Sequence, residues 1–375
     1  MDICVLAEDP KLDQRVPLSP GAAKGLVRAG NRVFIQQGAG EPSQYSDAEY
    51  QAGGATVVYS REETLARGDV VVTLRAPTLD ELSLVAEGAT LVSLLHLSLR
   101  SPEYLDTFLS RDLTAVSMEL IADHEGRRPC LMAISEIAGV LAIQVASYFL
   151  QSPVGGRGIL LGGAPGVPPG TVLVIGAGTV GLAAAATAQR AGANTMLFDH
   201  DVQNLRRAQK ILGPGVATNI LSRHSLERLL VATDALIGAV SVTGERAPVV
   251  ITEEQVAMMR PGAVIVDLSI DEGGCVETSH PTTMASPTFA VSGVTHFCVP
   301  NLTTLVARSA SRAISHALFP YIESLGNHGP ERLSQVPDLA RGTCTWRGQV
   351  THPEVARHFQ REHRPLPFSA GEGER

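Results

Sequence analysis

Residues 174–181 read Val-Ile-Gly-Ala-Gly-Thr-Val-Gly, a G-x-G-x-x-G turn entered from the apolar run 171–175 and left through the alanine-rich stretch 182–191. The glycine pattern alone constrains little, but a strand, this turn and a helix in succession define the opening βαβ unit of a dinucleotide-binding sheet. Gly176 permits the tight turn, Gly178 lets backbone approach a pyrophosphate, and Gly181 lets the helix pack closely on the strand. Amide groups of the first helical turn, with Thr179 and Val180, then face the phosphates. A second apolar run, 194–198, ends in Asp199, eighteen residues past Gly181, where a carboxylate can accept from the two adenosine ribose hydroxyls. The same carboxylate repels a 2′-phosphate, so NAD rather than NADP is the expected cofactor.

A chain of 375 residues is long enough for two domains, each with its own core. Short apolar runs alternate with helical stretches from the start: strands at 3–6, 32–36, 70–74, 90–94 and 114–117, with a helix over 20–29. That alternation predicts a parallel sheet with crossover helices. A long stretch at 135–151 is apolar on nearly every face and is expected to be buried between layers or domains. The Gly/Pro-rich segment 153–170 separates it from the dinucleotide turn; further strands are expected at 235–239, 263–268 and 288–291, and a helix over 307–325. The predicted architecture is α/β, with two Rossmann-like doubly wound domains: 135–307 binds the dinucleotide and is inserted into a discontinuous domain of 1–134 and 308–375. Residues 365–375 are expected to be a loose tail.

A formal charge of −8 argues against general nucleic-acid binding, and 4% aromatic residues leave little for base stacking. Five scattered cysteines without C-x-x-C spacing point to a reducing cytoplasm and to no structural zinc. By count of consecutive apolar residues, no stretch reaches the roughly 18 needed to span a membrane, and the N-terminus lacks a basic leader.

Seven further motifs belong together: Arg-Val-Pro-Leu-Ser-Pro (15–20), Gln-Gln-Gly-Ala-Gly-Glu (36–41), Leu-His-Leu (95–97), Ser-Glu-Ile-Ala-Gly (135–139), Gly-Gly-Ala-Pro-Gly-Val (162–167), Ile-Asp-Glu-Gly-Gly-Cys (270–275) and Pro-Thr-Thr (281–283). With them the chain resembles the alanine dehydrogenase family from residue 1 to about residue 363. The related transhydrogenase subunit shares the fold and the dinucleotide turn, but lacks the histidine at His96 and the acid at Asp271.

The resemblance implies reversible oxidative deamination of a small amino acid to its 2-oxo acid, with NAD taking the hydride and ammonia or an amine as nitrogen partner. Such chemistry needs a cationic clamp for the carboxylate and an acid/base beside the amino or oxo group. Arg15 corresponds to the family's carboxylate arginine, His96 to its acid/base, and Asp271 to an acid between substrate and nicotinamide ribose. Asn301 and Ile270 fall in segments that meet the cofactor, Asn301 also meeting the substrate, and Ser135 corresponds to a pyrophosphate contact. A homo-oligomer, a hexamer by resemblance, is also implied.

Departures from the family cluster at the substrate. Arg75 stands where a lysine reaches the substrate; arginine keeps the charge but cannot give up its proton. Leu94 replaces an aromatic residue, Ile134 a methionine, and Asn204 a lysine near the adenosine. Segment 301–307 lacks two prolines of the family loop, leaving more conformations to restrict. Altered binding residues around a retained His96 and Asp271 imply changed amino-acid specificity. Two other readings stay open: a dinucleotide-binding paralogue with little catalysis, and an opine-type or imine-reducing dehydrogenase related to saccharopine dehydrogenase, in which Arg75 binds a second carboxylate.

Overall fold

The computed structural model describes residues 1–242 and 246–367. The chain divides into two compact units, one of Met1–Ile134 with the chain from Thr304 onward, the other of Ser135–Thr303. The first begins with β1 (Asp2–Val5), α1 (Pro20–Arg28), β2 (Arg32–Gln36), α2 (Asp47–Ala52), β3 (Thr56–Val58) and α3 (Arg61–Arg67). It continues through β4 (Val70–Arg75), α4 (Leu79–Leu84), β5 (Thr90–Leu94), α5 (Pro102–Ser110) and β6 (Thr114–Ser117). Helix α6 (Pro129–Phe149) runs past Ile134 into the second unit, which holds β7 (Thr171–Ile175), α7 (Thr179–Arg190), β8 (Asn194–Asp199), α8 (Val202–Leu212), β9 (Ala217–Ile220) and α9 (Arg223–Leu230). After β10 (Ala235–Gly238), α10 (Glu253–Ala257), β11 (Val264–Asp267), β12 (Thr288–Val291) and β13 (Val294–Phe297), the chain rejoins the first unit with α11 (Ala307–His328), α12 (Pro337–Gly342), β14 (Thr343–Trp346), β15 (Gln349–Val350) and α13 (Pro353–His358).

Side-chain alternation explains the first unit. Ile3, Val5, Val70, Val72, Leu74 and Val92 point to one buried cluster, shared with residues of α1 and α11. Cys4, Val71, Leu91 and Ala115 point to a second cluster, closed by α3, α4, α5 and α13. A sheet buried on both faces is what near-continuous Val/Ile/Leu strands produce. Helix starts are fixed locally: Ser46 with Glu49 and Thr78 with Glu81 form capping boxes, and Ser19 caps α1.

The eight-stranded sheet has the order β15-β14-β6-β5-β4-β1-β2-β3, and the seven-stranded sheet β12-β13-β11-β10-β7-β8-β9. Each centre is parallel and doubly wound. The edges depart from the all-parallel expectation: β14 lies antiparallel to β6 and β15, and β12 antiparallel to β13. The hairpin pairs β12/β13 and β14/β15 need no crossover helix, and β14 reaches β6 from 230 residues downstream; β12 falls where a strand is expected at 288–291, whereas β13, β14 and β15 are short, partly polar and carry no strong periodic signal.

Three expectations need correcting. Helix α6 is long and apolar enough to cross a membrane by composition, with mean hydropathy 1.8 over its best window. Counting uninterrupted apolar residues hid this, because Ser135, Glu136, Gln144 and Ser147 break the run. Nor is α6 buried all round, since Glu136, Val140, Gln144 and Tyr148 form an exposed stripe, Val140 at 38% and Tyr148 at 52%. Four-residue spacing puts them on one face. The presumed tail is not loose throughout, as Leu366 is 6% exposed in the first unit's core; residues 368–375 lie outside the described residues.

Candidate active-site elements in the two units

Strands β1, β4, β5 and β6 are neighbours in the first sheet, and their C-terminal ends deliver the segments bearing Arg15, Arg75, His96 and Glu119. Ligand sites in open α/β sheets form at that edge. Arg15 is buried, 1% exposed, and its guanidinium grips Asp13 with both oxygens, Nε to Oδ1 at 2.8 Å and Nη2 to Oδ2 at 2.5 Å. An arginine oriented this way is preorganised, and breaking a buried pair of this kind typically costs about 3–5 kcal/mol. The Arg15 loop is pinned by the returning chain: the amides of Gln14, Val16 and Ser19 donate to Thr304 Oγ1, Ser311 Oγ and Ser315 Oγ at 2.8–2.9 Å.

Arg75 ends β4 at an irregularity in its pairing with β5. There Glu8 Oε1 accepts from Thr73 Oγ1 (2.7 Å), Leu74 N (2.6 Å) and Arg75 N (3.2 Å). Burial pushes the Glu8 carboxyl above the ordinary carboxylate range, against these hydrogen bonds. His96, two residues past β5, adopts a left-handed backbone with φ 44°. For a non-glycine residue that conformation costs on the order of 1–3 kcal/mol and persists only when held. Glu119 holds it, with Oε1 accepting from His96 N at 2.7 Å. Leu94 is buried in the core of this unit and Ile134 packs against the same cluster.

In the second unit the three glycines separate as their roles require. Gly176 has φ 102°, and a Cβ there would meet Ala239 O at 2.3 Å. A Cβ at Gly181 would sit 1.7 Å from Gly176 O, whereas one at Gly178 would meet nothing within 4 Å. The helix start is thus locked tightly behind and open in front. Gly178 gives α7 no side-chain cap, leaving the amides of its first turn for an anion.

Asp199 ends β8, the next strand, with Oδ2 accepting from Ala177 N at 2.7 Å and Oδ1 from Asp201 N at 2.8 Å. Asn204 Nδ2 donates to the same Oδ1 at 3.3 Å. The carboxylate is therefore oriented by the glycine turn itself. Leu221 N donates to Asp199 O at 2.9 Å, and Leu221 borders a recess of about 220 Å³ lined also by Ser222, Leu226 and Val250. This glycine cradle, uncapped helix and braced acid fit a dinucleotide.

Beyond β11, the Ile-Asp-Glu-Gly-Gly-Cys segment is organised by buried Asp267, which accepts from Ser269 N, Cys275 N and Val276 N at 3.0–3.2 Å. Asp271 lies in the following 3-10 turn rather than directly at a strand end. Its Oδ1 accepts from Asn301 N at 3.0 Å, and Asn301 is left-handed at φ 53°. The structure so joins Asp271 to Asn301; buried Ile270 precedes them, and Ser135 lies on α6. Cys275 is held protonated, its thiol raised well above its usual range by burial and then by Asp267. Burial likewise pushes Cys4, Cys130, Cys298 and Cys344 up to about 12, which removes thiolate chemistry at neutral pH.

Sequence reasoning missed Glu8, Glu119 and Asp267, carboxylates that hold backbone rather than face a ligand. Asp267 carries a local signal, an acid two residues before a serine amide it accepts from; the other two bridge residues far apart in sequence.

Two doubly wound sheets, one carrying a glycine cradle with its braced acid, define a dinucleotide-dependent α/β enzyme. Residues 4–138 match the family described as Alanine dehydrogenase/PNT, N-terminal domain, and 142–353 its C-terminal domain. The chain is similar to alanine dehydrogenase of Mycolicibacterium smegmatis, 37% identical over 358 residues that cover 95% of each chain. Its structure is similar to a solved L-alanine dehydrogenase, with TM-score 0.89 and 37% identity over 96% of this chain and 99% of that one. It is also similar to a transhydrogenase from Sinorhizobium meliloti, with TM-score 0.79 and 26% identity over 94% and 99%. The chain belongs to the alanine dehydrogenase/PNT family, and it is an NAD-dependent dehydrogenase of that family.

Proposed function

We propose that this amino-acid dehydrogenase prefers a substrate longer or more acidic than alanine, interconverting it with its 2-oxo acid. The observation that carries the reading is Arg75 at the end of β4, its backbone amide held by Glu8, on the same sheet edge as the segment bearing Arg15. In this reading the first unit holds the substrate and the second the cofactor. NAD, when bound, supplies the hydride acceptor.

Arg15, oriented by Asp13, bonds the substrate carboxylate in the planar two-oxygen geometry that guanidinium favours. Arg75 adds a fixed positive charge that no pH near neutrality removes, so it binds and orients but moves no proton. His96 exchanges a proton with the amino or oxo group, its backbone held by Glu119. Asp271 accepts a proton from the attacking water or ammonia, and Asn301 orients the same segment. Gly176, Gly178, Thr179, Val180 and Gly181 cradle the pyrophosphate with Ser135, Asp199 binds the adenosine ribose, and the recess at Leu221 and Val250 takes the adenine.

The test is kcat/KM for a panel of 2-oxo acids with saturating ammonia and NADH. Pyruvate is expected to be poor and larger or dicarboxylic acids better, with Arg75→Lys plus Leu94→Phe moving activity toward pyruvate. Efficient turnover of pyruvate, with every larger acid slower, would overturn the reading. We also propose a closed homo-oligomer, a hexamer, in the cytoplasm; light scattering that gave the 39.6 kDa of one chain would refute assembly.

A further inference from the structure

The first unit contains a cavity of about 430 Å³ that shares no lining residue with the segments bearing Arg15, Arg75 and His96. Its walls come from the stretch after β6, from α12 and from the segment around α13. Much of the lining is apolar, with Leu120, Ala340 and Leu366 among prolines. Volume and lining are those of a small-molecule site, where a few polar groups fix orientation against an apolar wall.

Two polar groups in that lining have no protein partner among the described residues. His352 Nδ1 is buried and has no hydrogen-bond partner among the described residues. The half-buried Arg128 guanidinium makes no ion pair among the described residues. The other charged residues that line the cavity are committed or peripheral, and Glu119, which acts on His352 from outside the lining, holds His96 N through Oε1. Arg341 donates to Ala122 O at 2.7 Å and pairs with Asp338 at 3.0 Å, His363 Nε2 bonds Thr351 O at 3.0 Å, and Glu354 is exposed. Burial pushes His352 below the usual imidazole range; Glu354 and Glu119 oppose that shift, Arg128 and His363 reinforce it. A neutral ring can carry its proton on Nδ1 and donate it.

We propose that this cavity is a second ligand site, for a small organic acid whose single carboxylate pairs with Arg128 and accepts from His352 Nδ1 while its apolar body lies against Leu120, Ala340 and Leu366. An inorganic anion would leave the apolar wall unfilled; a neutral apolar molecule would leave the buried His352 Nδ1 without a partner and the Arg128 charge unpaired.

Phenylacetate, titrated into the full chain saturated with NADH, tests this by calorimetry and by fluorescence of Trp346. That residue is the sole tryptophan and, like Ala340, packs against the core cluster containing Leu366. The expected result is saturable binding of one phenylacetate per chain, weakened about tenfold or more in Arg128→Gln and in His352→Phe, as loss of a charge-assisted contact implies. Phenylacetamide, of the same shape but uncharged, should not bind. Turnover of Arg128→Gln without phenylacetate should equal that of the parent. No saturable binding, equal binding by Arg128→Gln, or equal binding of phenylacetamide overturns the proposal. Should His352→Phe fail to fold, the surface-facing Arg128→Gln still decides it.

Discussion

Asp199, proposed to select the cofactor, and Arg15, proposed to clamp the substrate, are both braced by neighbours within their own units, Asp199 by the amides of Ala177 and Asp201 and Arg15 by Asp13. Asp199→Ala removes a carboxylate that accepts from Ala177 N, so it should weaken NAD binding and narrow the preference over NADP. Calorimetry with both dinucleotides checks this, and equal or tighter NADP binding by the parent would contradict the role of Asp199. Arg15→Ala strands buried Asp13 as well as removing the proposed partner of the substrate carboxylate. It should therefore raise KM and also lower stability by about 3–5 kcal/mol, whereas Arg15→Ala with Asp13→Ala should recover most of the stability and none of the KM. Urea denaturation beside steady-state kinetics separates the two. His96→Ala, by contrast, should lower kcat by roughly 10²-fold, as loss of a general acid/base does, with little change in unfolding.

Elements were legible in the sequence in proportion to how local their causes are. The glycine turn, its helix and β8 could be read directly, because strand period, turn conformation and helix start are written within 30 residues. Strands β9 and β14, reading Ala-Thr-Asn-Ile and Thr-Cys-Thr-Trp, lack the apolar run that marks their neighbours and are strands only because β8 and β6 pair with them. Among site residues, Arg15, His96 and Asp271 stand in recognisable motifs, while Glu8 and Glu119 accept from amides 67 and 23 residues away and leave no local trace. Two glycine substitutions test the cradle. Gly181→Ala brings a methyl into Gly176 O and should cost both stability and NAD binding. Gly178→Ala meets only open space, so it should unfold like the parent yet bind NAD at least tenfold more weakly, since its methyl occupies the approach of the pyrophosphate. Thermal melts with and without NAD would show the contrast; parental NAD affinity in Gly178→Ala would remove the cradle from the binding site.

At the scale of the whole molecule, two buried histidines weaken the fold on mild acidification, a loss that the raised carboxyl of Glu8 opposes at lower pH. Burial lowers both His296 and His352 below the usual imidazole range, and His296 also stacks on Phe289 with ring centroids 4.9 Å apart. The unfolded chain takes up these protons near pH 6.5, the folded chain only at lower pH. The contribution of the two histidines is therefore fully present above about pH 6.5 and is lost as pH falls from there toward the folded values, by up to about 1.4 kcal/mol per pH unit for each group. Urea midpoints at a series of pH values should fall on acidification, and less steeply in His296→Gln. An identical slope in that variant would assign the loss to other groups.

The pinning of the Arg15 loop by Thr304, Ser311 and Ser315 has a consequence for the order of events at the ribosome. The second unit is one uninterrupted stretch and can close its sheet as soon as it has been made. The first unit cannot: β6 waits for β14, and the arginine loop waits for a helix whose serines lie up to 296 residues downstream. Such long-range closures are slow, and until they occur the β6 edge is open to wrong partners. On the proposed assignment of sites, a nascent chain acquires its dinucleotide site first and its substrate site last, so the cofactor would be available as a folding ligand while the other half is still being assembled.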